Sequence, residues 1–272
     1  MPCSGGISPR RSRSIIAGRL TVDRFDREGK RLASRGTLAN LPLAPLLELL
    51  KTAPPLATDL RMNGEWNLRA GETLDGRLRL RRQSGDVRLT DPSTSLGLTA
   101  LTLDLDAAAS QARVSLAVDA REAGRLRLDG RGALAREGAT FAVSRSAPLA
   151  WNAQFDVPDL RALRPFIPVG VRADARVDAQ LTGSGSLAAP RIDGRIAADA
   201  IHFSMPEQGV AIIDGTLRLL LADDRVQVQE GELKGSSGRI VVSGDARLSN
   251  TQAGLTLTFE KFAATRRSDR SV

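Results

Sequence analysis

The chain has 272 residues, 42% of them hydrophobic, enough for one or two domains with a buried core. With a single His (His202) and a single Cys (Cys3) it can form neither an intramolecular disulfide nor a zinc site of the common Cys/His kind. Its formal charge of +8 sits at the two ends. Residues 1–35 carry nine Lys/Arg against three Asp/Glu, residues 260–272 four against two, and the span between balances at 26 of each sign. A neutral body with no Tyr, two Trp and seven Phe lacks the basic, aromatic surface that nucleic-acid binding uses, so no nucleic-acid partner is expected.

Residues 1–14, rich in Ser, Arg, Pro and Gly, read as a disordered basic end. Arg10, Arg11 and Arg13 are not followed by a continuous apolar run, so they do not make a complete signal peptide. No stretch approaches the roughly 20 apolar residues of a membrane-spanning helix. The most apolar window, Leu41 to Leu50, is broken by Pro42, Pro45 and Glu48. The chain reads as an internal piece of a longer protein.

Alternation begins at Ile16 and returns over Leu32 to Leu38. Leu41 to Lys51 (LPLAPLLELLK) suits a short amphipathic helix with prolines at its start. Strands are expected near 58–69, 73–82, 86–90, 95–106, 112–119, 124–134, 139–144 and 149–157. A second short helix is expected over Asp159 to Arg164, stopped by Pro165 and Pro168. Further strands follow near 170–181, 191–203, 209–221, 225–234, 238–249 and 253–259. A period of two between turn-forming clusters such as Asp223-Asp224 and Gly235-Ser-Ser-Gly238 marks half-buried antiparallel strands. Asp75-Gly76, Asp129-Gly130, Asp193-Gly194 and Asp214-Gly215 read as turn or bulge chemistry.

The pattern repeats. Gly124 to Leu134 lines up with Gly238 to Leu248, 114 positions on, and Leu101 to Leu105 with Leu217 to Leu221, offset 116. Leu41-Pro42 aligns with Val157-Pro158, each leading into a helical stretch. The expected organisation is therefore a basic end over 1–14, the trailing part of a β repeat over 15–40, one helix-plus-strands repeat over 41–156 and a second over 157–272, truncated. Each unit of this kind buries its face against its neighbours.

Along the strands one side is aliphatic and the other charged: Leu74, Leu78 and Leu80 against Asp75, Arg77 and Arg79; Val171, Ala173 and Val177 against Arg172, Asp174 and Arg176. No charged residue is expected on the apolar side of the clearer strands. The apolar positions are candidate groove-lining residues: Leu78, Leu80, Leu101, Leu103, Val114, Leu116, Leu126, Leu128, Val171, Val177, Ile196, Leu217, Leu219, Val226, Val228, Ile240 and Val242. A second sheet could cover that face to give a closed sandwich, a scaffold or binding module with a dry core. A single curled sheet would instead leave it lining a groove that acyl chains fill. A membrane barrel would need aromatic girdles that nine aromatic residues cannot supply.

No catalytic, metal or cofactor-binding residues are expected, and the chain does not read as an enzyme. His202 stands between Ile201 and Phe203 with no nucleophile beside it, and Asp223 and Asp224 share a hairpin turn. Trp66 and Trp151 read as packing anchors within strands. Strand edges at both ends predict self-pairing or aggregation.

Leu187-Ala-Ala-Pro-Arg-Ile-Asp-Gly-Arg-Ile196, Gly238-Arg-Ile-Val-Val-Ser-Gly244 and Leu255-Thr-Leu-Thr-Phe-Glu-Lys-Phe262, in that order behind short helices, resemble the TamB family of translocation and assembly module proteins and their AsmA-like relatives. The likeness extends over nearly everything from Ile16 on. It implies an all-β, mainly antiparallel fold, an elongated curled repeat sheet (a β-taco or groove) with two short helices. It further implies a periplasmic protein anchored in the inner membrane in its full-length form, phospholipid acyl chains as cargo, and an outer-membrane barrel partner of TamA type. The roles it implies are carriage of phospholipid between the two membranes and support of outer-membrane protein assembly. The anchor and the family's C-terminal partner-contacting region are not seen in this chain.

Overall fold

In a computed structural model of the chain, the residues described are 11–15, 18–29, 31–44, 56–90, 93–138, 140–161, 170–207, 209–247 and 252–261. The fold is all-β and mainly antiparallel. In chain order the strands are β1 (Arg11–Ile15), β2 (Gly18–Glu28), β3 (Arg31–Pro42), β4 (Leu56–Thr58), β5 (Arg61–Ala70), β6 (Leu74–Ser84), β7 (Val87–Thr90), β8 (Ser93–Ser95), β9 (Leu98–Ala108) and β10 (Gln111–Ala120). They continue with β11 (Gly124–Glu137), β12 (Thr140–Val143), β13 (Leu149–Val157), β14 (Arg172–Gly185), β15 (Pro190–Met205), β16 (Val210–Ile212), β17 (Asp214–Ala222), β18 (Arg225–Lys234), β19 (Arg239–Arg247) and β20 (Gln252–Glu260). Among the described residues no helix is long and apolar enough to cross a membrane.

Two compact units divide the chain. The first comprises Met1–Asp119, Arg127–Trp151 and Gly185–Ala189; the second comprises Ala120–Leu126, Asn152–Ser184 and Pro190–Val272. In the first, β1, β2, β3, β5, β6 and β9 pair antiparallel one after the next. A separate three-stranded sheet is built from β4, β7 and β8. In the second, β15 pairs with both β16 and β17, and β17, β18, β19 and β20 follow in sequence order. Each is an antiparallel succession of strands in chain order, joined in part by short turns. Between β3 and β5 and between β6 and β9 the connections are the longer segments that carry β4, β7 and β8.

Local details depart from the expected elements at three places. Leu41 and Pro42, assigned to a helix, end β3 instead, opposite Met62 and Arg61. The Leu43 N–H donates to the Leu60 carbonyl at 2.9 Å and carries the ladder one step further. Pro42, with no N–H to offer, sits at the strand's last position. The rest of that helix, from Pro45 on, lies outside the described residues. So does most of the second: Leu160 and Arg161 form a 3₁₀ turn, and residues 162–169 are not described. Lastly, the single strand expected over 209–221 is two, broken at Ile213, which is 54% exposed.

The Asp-Gly pairs lie inside strands rather than at hairpin tips. At Gly76 (φ +127°) and Gly194 (φ +151°) a Cβ would stand 2.0 Å from the Asn67 carbonyl oxygen and 2.2 Å from that of Gln180. Only glycine tolerates that backbone and that approach, so these are sites of strand distortion. Asp75 accepts hydrogen bonds from the Ala109 N–H (2.6 Å) and the Thr73 hydroxyl (2.9 Å), which hold its carboxyl below the usual carboxylate range.

The dry interior is small. The buried apolar residues described are mostly alanines (Ala107, Ala112, Ala120, Ala153, Ala175, Ala179), with Leu60, Met62, Leu98, Ile212 and Leu221. Leu60 alone among them is a large side chain with no exposure. Most Leu, Val and Ile of the long strands are half-buried, and among the described residues no polar or charged residue is buried.

Candidate functional site

Residues directly opposite in an antiparallel ladder project from the same face, so register converts the alternating pattern into rows. In the first unit one row runs Val22, Gly36, Trp66, Leu78, Leu105 across β2, β3, β5, β6 and β9. The adjacent row is Leu20, Leu38, Gly64, Leu80, Leu103. Glycines lie beneath the large members. A Cβ at Gly36 would stand 2.5 Å from the Trp66 ring, and one at Gly64 2.5 Å from a Leu80 methyl carbon. Trp66 thus lies down along the face, its indole N–H bonded to the Ser34 hydroxyl at 2.9 Å.

The opposite face is a mesh of ions. Across β5, β6 and β9, Arg77 meets Asp106 at 3.0 Å, and Arg79 lies between Asp104 (3.4 Å) and Glu65 (3.7 Å). Such exposed pairs contribute little to stability, and they keep this face wet.

In the second unit the rows are Ile196, Leu219, Val228, Gly244, Leu255 and Ala198, Leu217, Gly231. A bulge in β18 keeps them in step: Leu217 pairs Gly231 and Leu219 pairs Val228, with Gln229 left over. Gly231 makes room for Val242, whose Cβ would be 2.8 Å from a Cβ there. Val226, opposite Ala246, and Ile240, opposite Leu233, complete the face. Its last strand, β20, pairs with β19 and presents Leu255, Leu257 and Phe259 at 55%, 51% and 59% exposure. The substantial strand contacts described within this unit are edge to edge, between hydrogen-bonded neighbours.

Of the residues expected to line a groove, register gathers Leu78, Leu80, Leu101 and Leu103 on one face. It gathers Ile196, Leu217, Leu219, Val226, Val228, Ile240 and Val242 on another. Val114 and Leu116 on β10, Leu126 and Leu128 on β11, and Val177 on β14 are half-buried on their strands; Val171 stands one residue ahead of β14. Sequence reasoning missed Leu20, Leu38, Trp66, Leu105, Leu233 and the β20 side chains. Their alternation was visible, but their partners were not.

One expectation is overturned. Arg82 stands on the apolar register of β6, opposite the 5% exposed Met62, because the strand runs on to Ser84. A charge therefore does occupy the apolar side of a clear strand.

Two concavities of the first unit are walled mainly by charged and polar residues. One, of about 820 Å³, is lined by residues including Asp23, Arg35, Glu65, Asn67, Arg77 and Asp106. Another, of about 1000 Å³, is lined by residues including Arg24, Asp26, Arg69 and Asp75. Charged groups of both signs wall these open dimples, so an apolar guest would have to strip water from ions there. The aliphatic rows impose no such cost.

His202 is exposed, with Nδ1 2.8 Å from the Ala200 carbonyl oxygen. Asp223 occupies the β17–β18 turn at φ +59°, and its carboxylate lies 3.5 Å from Arg191. Among the described residues no group of His, Cys, Asp and Glu gathers that could hold a metal ion. No protein-family model, no curated protein and no solved structure matches the chain.

Proposed function

We propose that this chain is a lipid-handling segment of a periplasm-spanning protein of TamB type, whose aliphatic strand faces hold phospholipid acyl chains on their way between the inner and outer membranes. In this reading the same faces support outer-membrane protein assembly with a barrel partner of TamA type. One observation carries it. The long strands turn rows of Leu, Val and Ile to one side, yet these side chains stay half-buried while alanines make up most of the dry core. A face left in that condition costs free energy in water and gains it when a guest covers it. At about 25 cal/mol per Å², an acyl chain hiding on the order of 300 Å² of apolar surface contributes about 7.5 kcal/mol.

Aliphatic rows offer no hydrogen-bonding groups, so the guest is held by area rather than by any one residue. Single aliphatic truncations are then tolerated, and a charge placed in a row is not. In a lipid-binding assay, Leu80→Asp and Leu219→Asp should each lower binding of a fluorescent phospholipid at least tenfold, whereas Arg77→Ala on the polar face should leave it within twofold. Equal effects from both kinds of change would remove the support for this function.

A further inference from the structure

The guanidinium of Arg82 gives the first unit's apolar face a polar end, and we infer that this end recognises the anionic headgroup of an acidic phospholipid whose acyl chain lies along the Leu80 and Leu78 rows. The inference rests on the lipid-handling reading above and specifies which lipids that face selects.

Arg82 differs from Arg77 and Arg79 on β6. Arg77 and Arg79, on the polar face, are matched by Asp106 and by Asp104 with Glu65. Among the described residues Arg82, on the apolar register, bonds only main-chain carbonyls: Nε and Nη2 reach the Gly85 oxygen at 3.0 and 2.8 Å, and Nη1 reaches the Thr99 oxygen at 3.3 Å. Neutral carbonyls orient a guanidinium without cancelling its charge. Of its five N–H groups these bonds use three, so two remain for a further acceptor. The carboxylate next along the chain, Asp86, is occupied by the Val87, Gly97 and Leu98 N–H groups and the Ser95 hydroxyl.

The surroundings fix where the fork sits. Met62 lies opposite on β5, and since Arg81 pairs with Thr102, Leu101 is its counterpart on β9. Leu60, Met62 and Leu98, the large apolar residues buried in this unit, gather at this end of the strands. A cation beside dry side chains interacts more strongly with an anion than one in open water. A planar fork suits the paired oxygens of a phosphodiester. An acidic phospholipid satisfies both demands at once, with its tail on the aliphatic rows and its phosphate and net negative charge at Arg82. A zwitterionic lipid brings its own cation and gains less.

The test uses the purified chain and two lipids of equal tail, lauroyl lysophosphatidylglycerol and lauroyl lysophosphatidylcholine, below their micelle concentrations, with calorimetry as readout. The wild type should bind the glycerol lipid about tenfold more tightly, the scale of one charge-assisted contact. Arg82→Gln should abolish that preference, lowering glycerol-lipid affinity about tenfold and choline-lipid affinity by a smaller factor. Leu101→Glu, which sets a carboxylate across from Arg82 and a charge on the aliphatic face, should weaken both lipids and abolish the preference between them, and serves if Arg82→Gln melts early. Equal affinities in the wild type, or a preference that survives both variants, would overturn the inference while leaving acyl binding intact. Failure to bind either lipid would instead defeat the lipid-handling reading itself.

Discussion

The apolar faces of the two units are built from the same alternation but end differently. In the first, the strands lead to an end of the face where Leu60, Met62 and Leu98 are buried and a three-stranded sheet of β4, β7 and β8 stands nearby in sequence. That end is organised by Asp86, whose carboxylate accepts from three main-chain N–H groups and the Ser95 hydroxyl. In the second, the rows end on β20, with Leu255, Leu257 and Phe259 more than half exposed. The contrast teaches that alternation sets which side chains share a face, whereas the dryness of that face depends on what its ends meet. One end is locked by polar bonds, and the other is left as an apolar edge.

Substitutions can break or sharpen that contrast. The largest effect is expected at Gly36, where a Cβ would stand 2.3 Å from the Thr21 carbonyl oxygen and 2.5 Å from the Trp66 ring. Gly36→Ala should destabilise the protein by about 3 kcal/mol in chemical denaturation. Gly254 on the open edge has its nearest neighbour at 3.9 Å, so Gly254→Ala should change stability by less than about 0.5 kcal/mol. Similar losses at both positions would erase the distinction between a packed face and an open edge.

A smaller effect is expected at Asp86. Partial burial pushes its carboxyl up, but the bonds from Ser95 and from the Leu98, Val87 and Gly97 amides outweigh it and hold it below the usual range. A carboxyl lowered on folding stabilises above its unfolded pKa of about 3.9 and loses that contribution as pH falls through the folded value. Asp86→Asn should therefore cost about 2 kcal/mol at pH 7 and less below pH 3. Thermal melts across that range check it, and a cost that does not shrink in acid would contradict the assignment. The smallest effect on stability belongs to Leu257→Lys. It should leave the melting temperature nearly unchanged and reduce self-association in sedimentation experiments, since a lysine on an edge strand opposes pairing with another chain.

Much of this was legible beforehand. Period-two runs bounded by Asp-Gly and Gly-Ser clusters located nearly every strand, and parity alone put Leu78 with Leu80 and Leu217 with Leu219. Register was not legible, because it depends on bulges. The extra residue Gln229 realigns β18, and the shift between Met62 and Arg61 realigns β5 with β6. Neither leaves a mark in the pattern of hydrophobicity. Glycine gaps were equally hidden, since Gly36 belongs beneath Trp66 only once β3 and β5 are aligned. Arg82 was within reach, because it continues the parity of Leu78 and Leu80. It was passed over because β6 was expected to end there, two residues short of Ser84. Leu41 and Pro42 misled for the opposite reason, since local leucine and proline content suggested a helix where a long-range ladder to Arg61 and Met62 prevails.

Photo-crosslinking probes most directly whether the aliphatic faces receive acyl chains. A phospholipid carrying a diazirine in its acyl chain would be bound to the purified chain, irradiated and mapped by peptide mass spectrometry. Adducts are expected on the rows of Leu78, Leu80, Leu219 and Val242 and not on the intervening Arg77, Arg79 and Arg218 positions. Labelling spread evenly over both faces, or its absence, would contradict the assignment of those rows to lipid.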